Sequence, residues 1–245
     1  MLLNHKVKLV TVLQHLIMIV GLAYYGLSLA AVLTALLGYF LFFGLGVSAG
    51  YHKLICHRSF KTSTVYKYLL LILGTFSGFG SSIAWTVSHR LHHNNSDVSI
   101  ERDPYYPQAN KFTSWWVTPR AVDFNPLIVK DLLVDPVQKY IHLNYFKILF
   151  SGVILLTALD PWLTVFAWAI PNVLGYHAIQ AVGVLSHSYG RQPYDNKDNS
   201  RDNYLIGLLT FGEGFQNTHH QHPQWPRLHK YDLVGYIIER FLIRN

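Results

Sequence analysis

The chain has 245 residues, enough for one large domain or two small ones, and is 51% hydrophobic and only 13% charged, about half the charged fraction usual for soluble domains. Its 16 Tyr and 6 Trp suit a chain that crosses a membrane interface. The formal net charge of +7 forms no run or stripe, which argues against nucleic acid, and a single cysteine, Cys56, excludes an intramolecular disulfide framework.

From Leu9 to Tyr51 there is no Lys, Arg, Asp or Glu. A span takes about 20 apolar residues, so this stretch is expected to hold two, at about 9–25 and 27–46, with Gly26 at the turn. His15 lies within the first and is read as a packed, hydrogen-bonded histidine. No short apolar core leads to a small-residue cleavage site, so no cleavable signal peptide is expected.

Tyr66–Val87 is long enough to span and carries one charge, Lys67. Its first half (Leu69 to Leu73) is apolar, but Gly74, Ser77, Gly78, Gly80, Ser81 and Ser82 weaken insertion, so an interfacial or re-entrant helix is expected. Prolines punctuate the stretch from Asp97 to Lys147, where Trp115-Trp116 suits a membrane-surface anchor. Leu127, Ile128, Leu132 and Leu133 suggest a short interfacial helix.

The second charge-poor block, Ile148–Ser186, is broken only by Asp160-Pro161, a natural turn. It divides into spans at about 146–159 and 162–186. Val234, Ile237, Ile238, Phe241 and Leu242 recur at helical spacing, an amphipathic helix at the C-terminal end. All 20 Lys and Arg fall outside the two blocks. If each block is a hairpin, the positive-inside rule assigns every basic residue, both termini and the active site to the cytoplasm. The expected architecture is therefore an all-α membrane protein: four transmembrane helices as two hairpins, with a cytoplasmic helical cap (51–145 and 187–245) holding a histidine-ligated metal site. It forms a single domain over 1–245, with no internal sequence repeat.

Fourteen histidines are a large excess for this length. His89, His92 and His93 stand at i, i+3 and i+4, so on a helix they share one face, giving either a crowded one-metal site or a wall between two metals. Gln216, His219 and His220 repeat that spacing. His52 and His57 are five residues apart, about 140° around a helix, which would point them at different metals. His187 follows the fourth span. Eight imidazoles on one expected face exceed one ion's capacity, favouring two metals or one metal with bystanders. Imidazole suits Fe, Zn, Cu or Ni, so ligand type does not choose among them. His5, His142, His222 and His229 flank surface-like segments, and Cys56 is read as an inert thiol. His177, inside the fourth span, is read as structural, although a buried polar residue in a span is a functional candidate by default.

Four segments carry a resemblance. They are Gly50 to Phe60 with His52 and His57; Trp85 to His93 with Asp97 and Asp103-Pro104 downstream; His187 to Asp195 followed by Asp198 to Asn203; and Gly212 to His220 with Pro223. Together they make the chain resemble the membrane fatty acyl desaturases, close to the Δ9 acyl-CoA and acyl-lipid branch, over nearly its whole length from about Gly21. The resemblance implies a four-span helical protein whose cap holds two irons on His52, His57, His89, His92, His93, His187, His219 and His220. It implies an oxidoreductase of fatty acid biosynthesis that uses O2 as co-substrate and acts on a fatty acyl chain linked to CoA, acyl carrier protein or lipid. The family has a histidine where this chain has Gln216, which either binds through its amide oxygen or leaves a coordination position open. Animal acyl-CoA enzymes place a water-binding Asn where this chain has Gly183.

Hydrogen removal from an unactivated methylene needs an oxidising metal centre rather than a side-chain base, and no nucleophile arrangement is convincing here. Asp97, Asp195 and Glu213 are candidate partners for ligand N–H groups, and Trp85 is a candidate wall of the substrate tunnel. The only His-Pro is His222-Pro223, followed by Gln-Trp rather than the Gly-Gly of a fused cytochrome b5. Electrons are therefore expected from a separate ferredoxin or cytochrome b5, for which a basic face is suited to an acidic donor. Two other readings use the same histidines: a histidine-box membrane hydroxylase or related oxygenase, and a membrane metal transporter. The second needs ionisable residues deep in several spans, where only His15 and His177 stand.

Overall fold

Gly26 closes the first hairpin with φ 66°, a left-handed turn open to glycine without strain. It separates α1 (Leu2–Tyr25) from α2 (Leu29–Tyr39), whose first turn is capped by the Ser28 hydroxyl accepting from the Ala31 amide at 3.1 Å. The structure, a computed structural model, describes residues 2–106, 111–117 and 119–243. Among these all regular structure is helical, with no extended pairing beyond two isolated bridges at Asp202.

α2 does not stop where the second span was expected to end. It runs without a break into a π-wound segment, Phe40–Cys56, carrying His52 on the same rod as the apolar span. Gly46 is where this rod meets α3 (Thr64–Phe76) most closely. A Cβ there would lie 2.6 Å from the Leu73 carbonyl carbon, so only glycine fits.

The Tyr66–Val87 stretch is not one helix. α3 ends at Phe76, and α4 (Ser82–Asn95) begins after a break in which Gly78 and Gly80 take φ 82° and 90°. Two buried tyrosines satisfy the exposed backbone of that break: Gly80 N–H donates to the Tyr145 hydroxyl at 3.1 Å, and the Tyr51 hydroxyl donates to the Gly80 carbonyl at 3.2 Å. Ser81 then caps α4, accepting from the Ala84 amide at 3.3 Å.

The cap continues through α5 (Lys111–Val117), a 3-10 turn at Pro126–Val129, α6 (Lys130–Leu133) and α7 (Pro136–Leu143). α8 (Tyr145–Leu159) follows across Asn144 at a 70° bend. Asp160 accepts from the Trp162 amide at 2.8 Å, and Pro161 occupies the first position of α9 (Pro161–Leu163). A π-wound turn, Thr164–Ala169, leads directly into α10 (Ile170–Leu185). The remainder is α11 (Tyr204–Leu209), α12 (Gln216–Gln221), α13 (Leu233–Ile237), with Val234 buried, and a π-wound end, Ile238–Leu242, with Ile238 buried and Phe241 exposed.

Two described helices are long and apolar enough to cross a membrane: His5–Tyr25, with mean hydropathy 1.8, and Leu29–Cys56, with 2.1. The bent pair α7–α8 makes a third if it counts as one span. The run from Pro161 to Leu185 packs against α1 and α2 but does not reach that measure. Pro171, Asn172, His177 and Gln180 lower its hydropathy. This is a helical membrane protein in which two or three described helices meet that measure.

Candidate metal centre

Four elements deliver histidines to one region: the π-wound end of the second span, α4, the turn after α10, and α12. His52, His57, His89 and His219 form one group and His92, His187 and His220 a second, the ligand atoms in each lying within 4.8 Å of one another. α4 and α12 serve both groups. Adjacent residues on a helix point about 100° apart, so His219 and His220 face different clusters. His93 stands between the groups, with Nε2 3.1 Å from His89 Nε2 and 2.9 Å from His219 Nε2, and its ring centroid 4.7 Å from that of His220.

His52 and His57 do not diverge as α-helical spacing suggested. Their rings lie 4.8 Å apart in the same group. The cause is the winding: the His57 amide donates to the His52 carbonyl at 3.0 Å, an i→i+5 bond that brings residues five apart onto one side.

Four of the rings are aimed from behind by a carboxylate. Glu213 Oε2 lies 2.6 Å from His52 Nδ1, Asp103 Oδ1 2.9 Å from His92 Nδ1, Asp97 Oδ2 3.2 Å from His187 Nδ1 and Asp198 Oδ2 2.6 Å from His220 Nδ1. Glu213 also accepts from the Ser48 hydroxyl. Of the three expected partners, Asp97 and Glu213 touch histidines. Asp195 is exposed, and Asp198, three residues on, takes the contact because the loop turns back there on Ser200. The partnership of Asp103 with His92 was missed. Its only sequence trace is the Asp-Pro dipeptide downstream of the histidine box.

The electrostatics favour neutral rings. Burial and the neighbouring imidazoles hold His57, His89, His93 and His219 well below the usual histidine range. Burial lowers His220 to about 4 against the opposing pull of Asp198. Burial would raise Glu213, but His52, Lys53 and Ser48 together bring it to about 2. A carboxylate bound at Nδ1 takes that N–H and leaves the Nε2 lone pair free to ligate. His220 Nε2 is buried with no hydrogen-bond partner among the described residues, and the Nε2 atoms of His52 and His219 approach to 3.0 Å. Lone pairs converging in this way fit a cation, and an all-imidazole donor set fits a transition metal.

Gln216 is buried at the start of α12, its amide nitrogen donating to the Glu213 carbonyl at 2.7 Å. A side chain at Gly183 would enter open space. Cys56 is buried outside both groups. Trp85 stacks on His89 at 4.6 Å and 19° and, with Val12, Ser88 and Ile179, lines a cavity of about 880 Å³.

Buried histidine clusters backed by carboxylates, set where apolar helices meet a cap beside a largely apolar cavity, define a membrane metal-site protein. The family profile for fatty acid desaturases matches residues 26–237. The chain is 35% identical over 202 residues to an sn-1 stearoyl-lipid 9-desaturase of Anabaena variabilis, covering 79% of this chain and 72% of that one. It is 30% identical to an sn-2 palmitoyl-lipid 9-desaturase of Nostoc sp. (strain 36), over 76% of this chain and 67% of the relative. Stearoyl-CoA desaturase 5 of Homo sapiens is 31% identical, over 78% and 63% respectively. The chain belongs to the fatty acid desaturase family, whose members are oxidoreductases.

Proposed function

We propose that this chain is an O2-dependent acyl desaturase that introduces a cis double bond, Δ9-like, into a long acyl chain held in the cavity beside Trp85. The observation that carries the reading is the pair of carboxylate-backed histidine clusters sharing α4 and α12, with Trp85 stacked between His89 and the cavity. His52, His57, His89, His93 and His219 would hold one iron, and His92, His187 and His220 the other, while Gln216 is tied to the Glu213 carbonyl and assigned to neither. Bound iron supplies the oxidising power that side chains lack.

The balance is simple. The acyl chain loses two hydrogens from adjacent carbons, a separate ferredoxin or cytochrome b5 supplies two electrons, and O2 with two further protons leaves as two waters. The protein's own part is placement. Glu213, Asp103, Asp97 and Asp198 fix which nitrogen of each ring faces inward, while apolar walls exclude water and hold the chain in one register. The two lipid 9-desaturases support the bond position, and together with the stearoyl-CoA desaturase they support a long acyl chain held on a lipid or CoA carrier. The full topology is four spans, with the α9–α10 run as the last, and the cap and both termini in the cytoplasm.

Expression with a saturated fatty acid source, followed by mass spectrometry of total lipids, tests this. A new mono-unsaturated product in wild type that is absent in His92→Ala is expected. A hydroxylated product without any double bond would overturn desaturation.

A further inference from the structure

His15 and His177 belong to neither cluster, yet they meet inside the helical bundle. The Trp115 indole N–H donates to His177 Nδ1 at 3.0 Å, His177 Nε2 lies 3.3 Å from His15 Nε2, and His15 Nδ1 lies 2.8 Å from the Thr11 carbonyl. An indole N–H can only donate and a carbonyl can only accept. The protons between them are therefore assigned: His177 donates through Nε2, and His15 donates through Nδ1. Both rings are neutral and all four ring nitrogens are used, so this pair has none to offer a metal.

What remains toward the cavity is ring surface. His15, Trp116, Tyr176 and His177 form a group with centroids 5.3 to 6.1 Å apart. The first three line the cavity, and His177 stands behind them, holding three elements at once. The Tyr176 hydroxyl adds a second tie to α5, donating to the Trp115 carbonyl at 3.0 Å. His177 stands eight residues before the end of α10 at Leu185, about 12 Å along the axis, and His187 lies just beyond. Lys8 and Arg120 also line the cavity, and Lys8 is seven residues from His15, about 10 Å along α1. One part of the cavity lining is thus cationic, suited to a polar acyl carrier, and another is a wall of ring faces, suited to a methyl terminus.

We propose that the ring group of His15, Trp116, Tyr176 and His177 is the wall against which the acyl chain ends, setting both chain-length preference and double-bond position. This rests on the acyl-desaturase reading above. His177 is a positioning residue: its ladder of hydrogen bonds pins α1 and α5 to α10 and keeps the other rings in place.

The test is the product profile of the full-length protein in membranes supplied with saturated fatty acids of graded length. Trp116 is 45% exposed, so Trp116→Ala thins the wall at little cost to folding. It should shift the ratio of longer to shorter unsaturated products by about tenfold, the worth of a methylene in an apolar pocket. His177→Leu, which breaks the ladder, should shift the ratio or the bond position as well. His177→Gln can accept from Trp115 and donate to His15, and should keep the wild-type profile. A fall in every product alike, with ratio and bond position unchanged in Trp116→Ala, overturns the proposal, and that variant decides even if His177→Leu fails to fold. A wild-type chain that forms no double bond overturns the desaturase reading instead.

Discussion

The two histidine clusters are built by different means. The first has four rings within ligand distance of one another and one carboxylate, Glu213, and it hangs on helices: the π-wound end of the span, α4 and α12. The second has three rings, each with its own aspartate, and all three aspartates, Asp97, Asp103 and Asp198, come from irregular segments. Rigid packing aims the first cluster, and hydrogen-bonded loops aim the second. The second therefore depends more on single polar contacts.

Breaking the shared wall should have the largest effect. His89→Ala removes a ring of the first cluster that also stacks on Trp85, and it should abolish product formation and lower bound iron, as read by product analysis and metal assay. Breaking the rod beneath the first cluster comes next. Lys53 is buried against Asp232 at 2.7 Å, and truncating one partner of such a pair costs about 3–5 kcal/mol. Lys53→Met should lower the thermal unfolding midpoint in detergent while leaving the Asp198–His220 contact intact.

Asp198→Asn isolates the second cluster. Loss of the carboxylate behind a ligand typically weakens metal binding roughly 10–100-fold, so one iron per chain should wash out under chelator well before the other. Glu213→Gln should reverse which site is lost first, visible as a different residual iron spectrum. If both variants release the same site, the two clusters are one unit and the contrast fails. The smallest effect is expected at Asp195→Asn, because that side chain is exposed; iron content and product yield should match wild type, and a loss like that of Asp198→Asn would reinstate Asp195 as the partner.

Much of the centre was legible because helical spacing is periodic. His89, His92 and His93 could be read as sharing a face, and Gln216, His219 and His220 as repeating it. What hid His52 and His57 was winding: α-helical arithmetic separates them, while an i→i+5 bond reunites them, and no residue type announces that change. Asp198 was harder to distinguish from Asp195 because loop residues have no period, and their direction is set by local bonds such as Ser200 to Asp198. The break at Gly78 and Gly80 was visible as composition, but not the two tyrosines, far away in sequence, that make it tolerable. The run from Pro161 to Leu185 carries polar residues among its apolar ones, and Asn172 and Gln180 are buried there.

The most direct measurement is the iron content of the purified full-length protein, expressed in iron-sufficient medium and assayed by elemental analysis against protein concentration. Two irons per chain, falling to one in Asp198→Asn, is the expected result. A single iron in wild type, unchanged by Asp198→Asn, would contradict a centre made of two clusters.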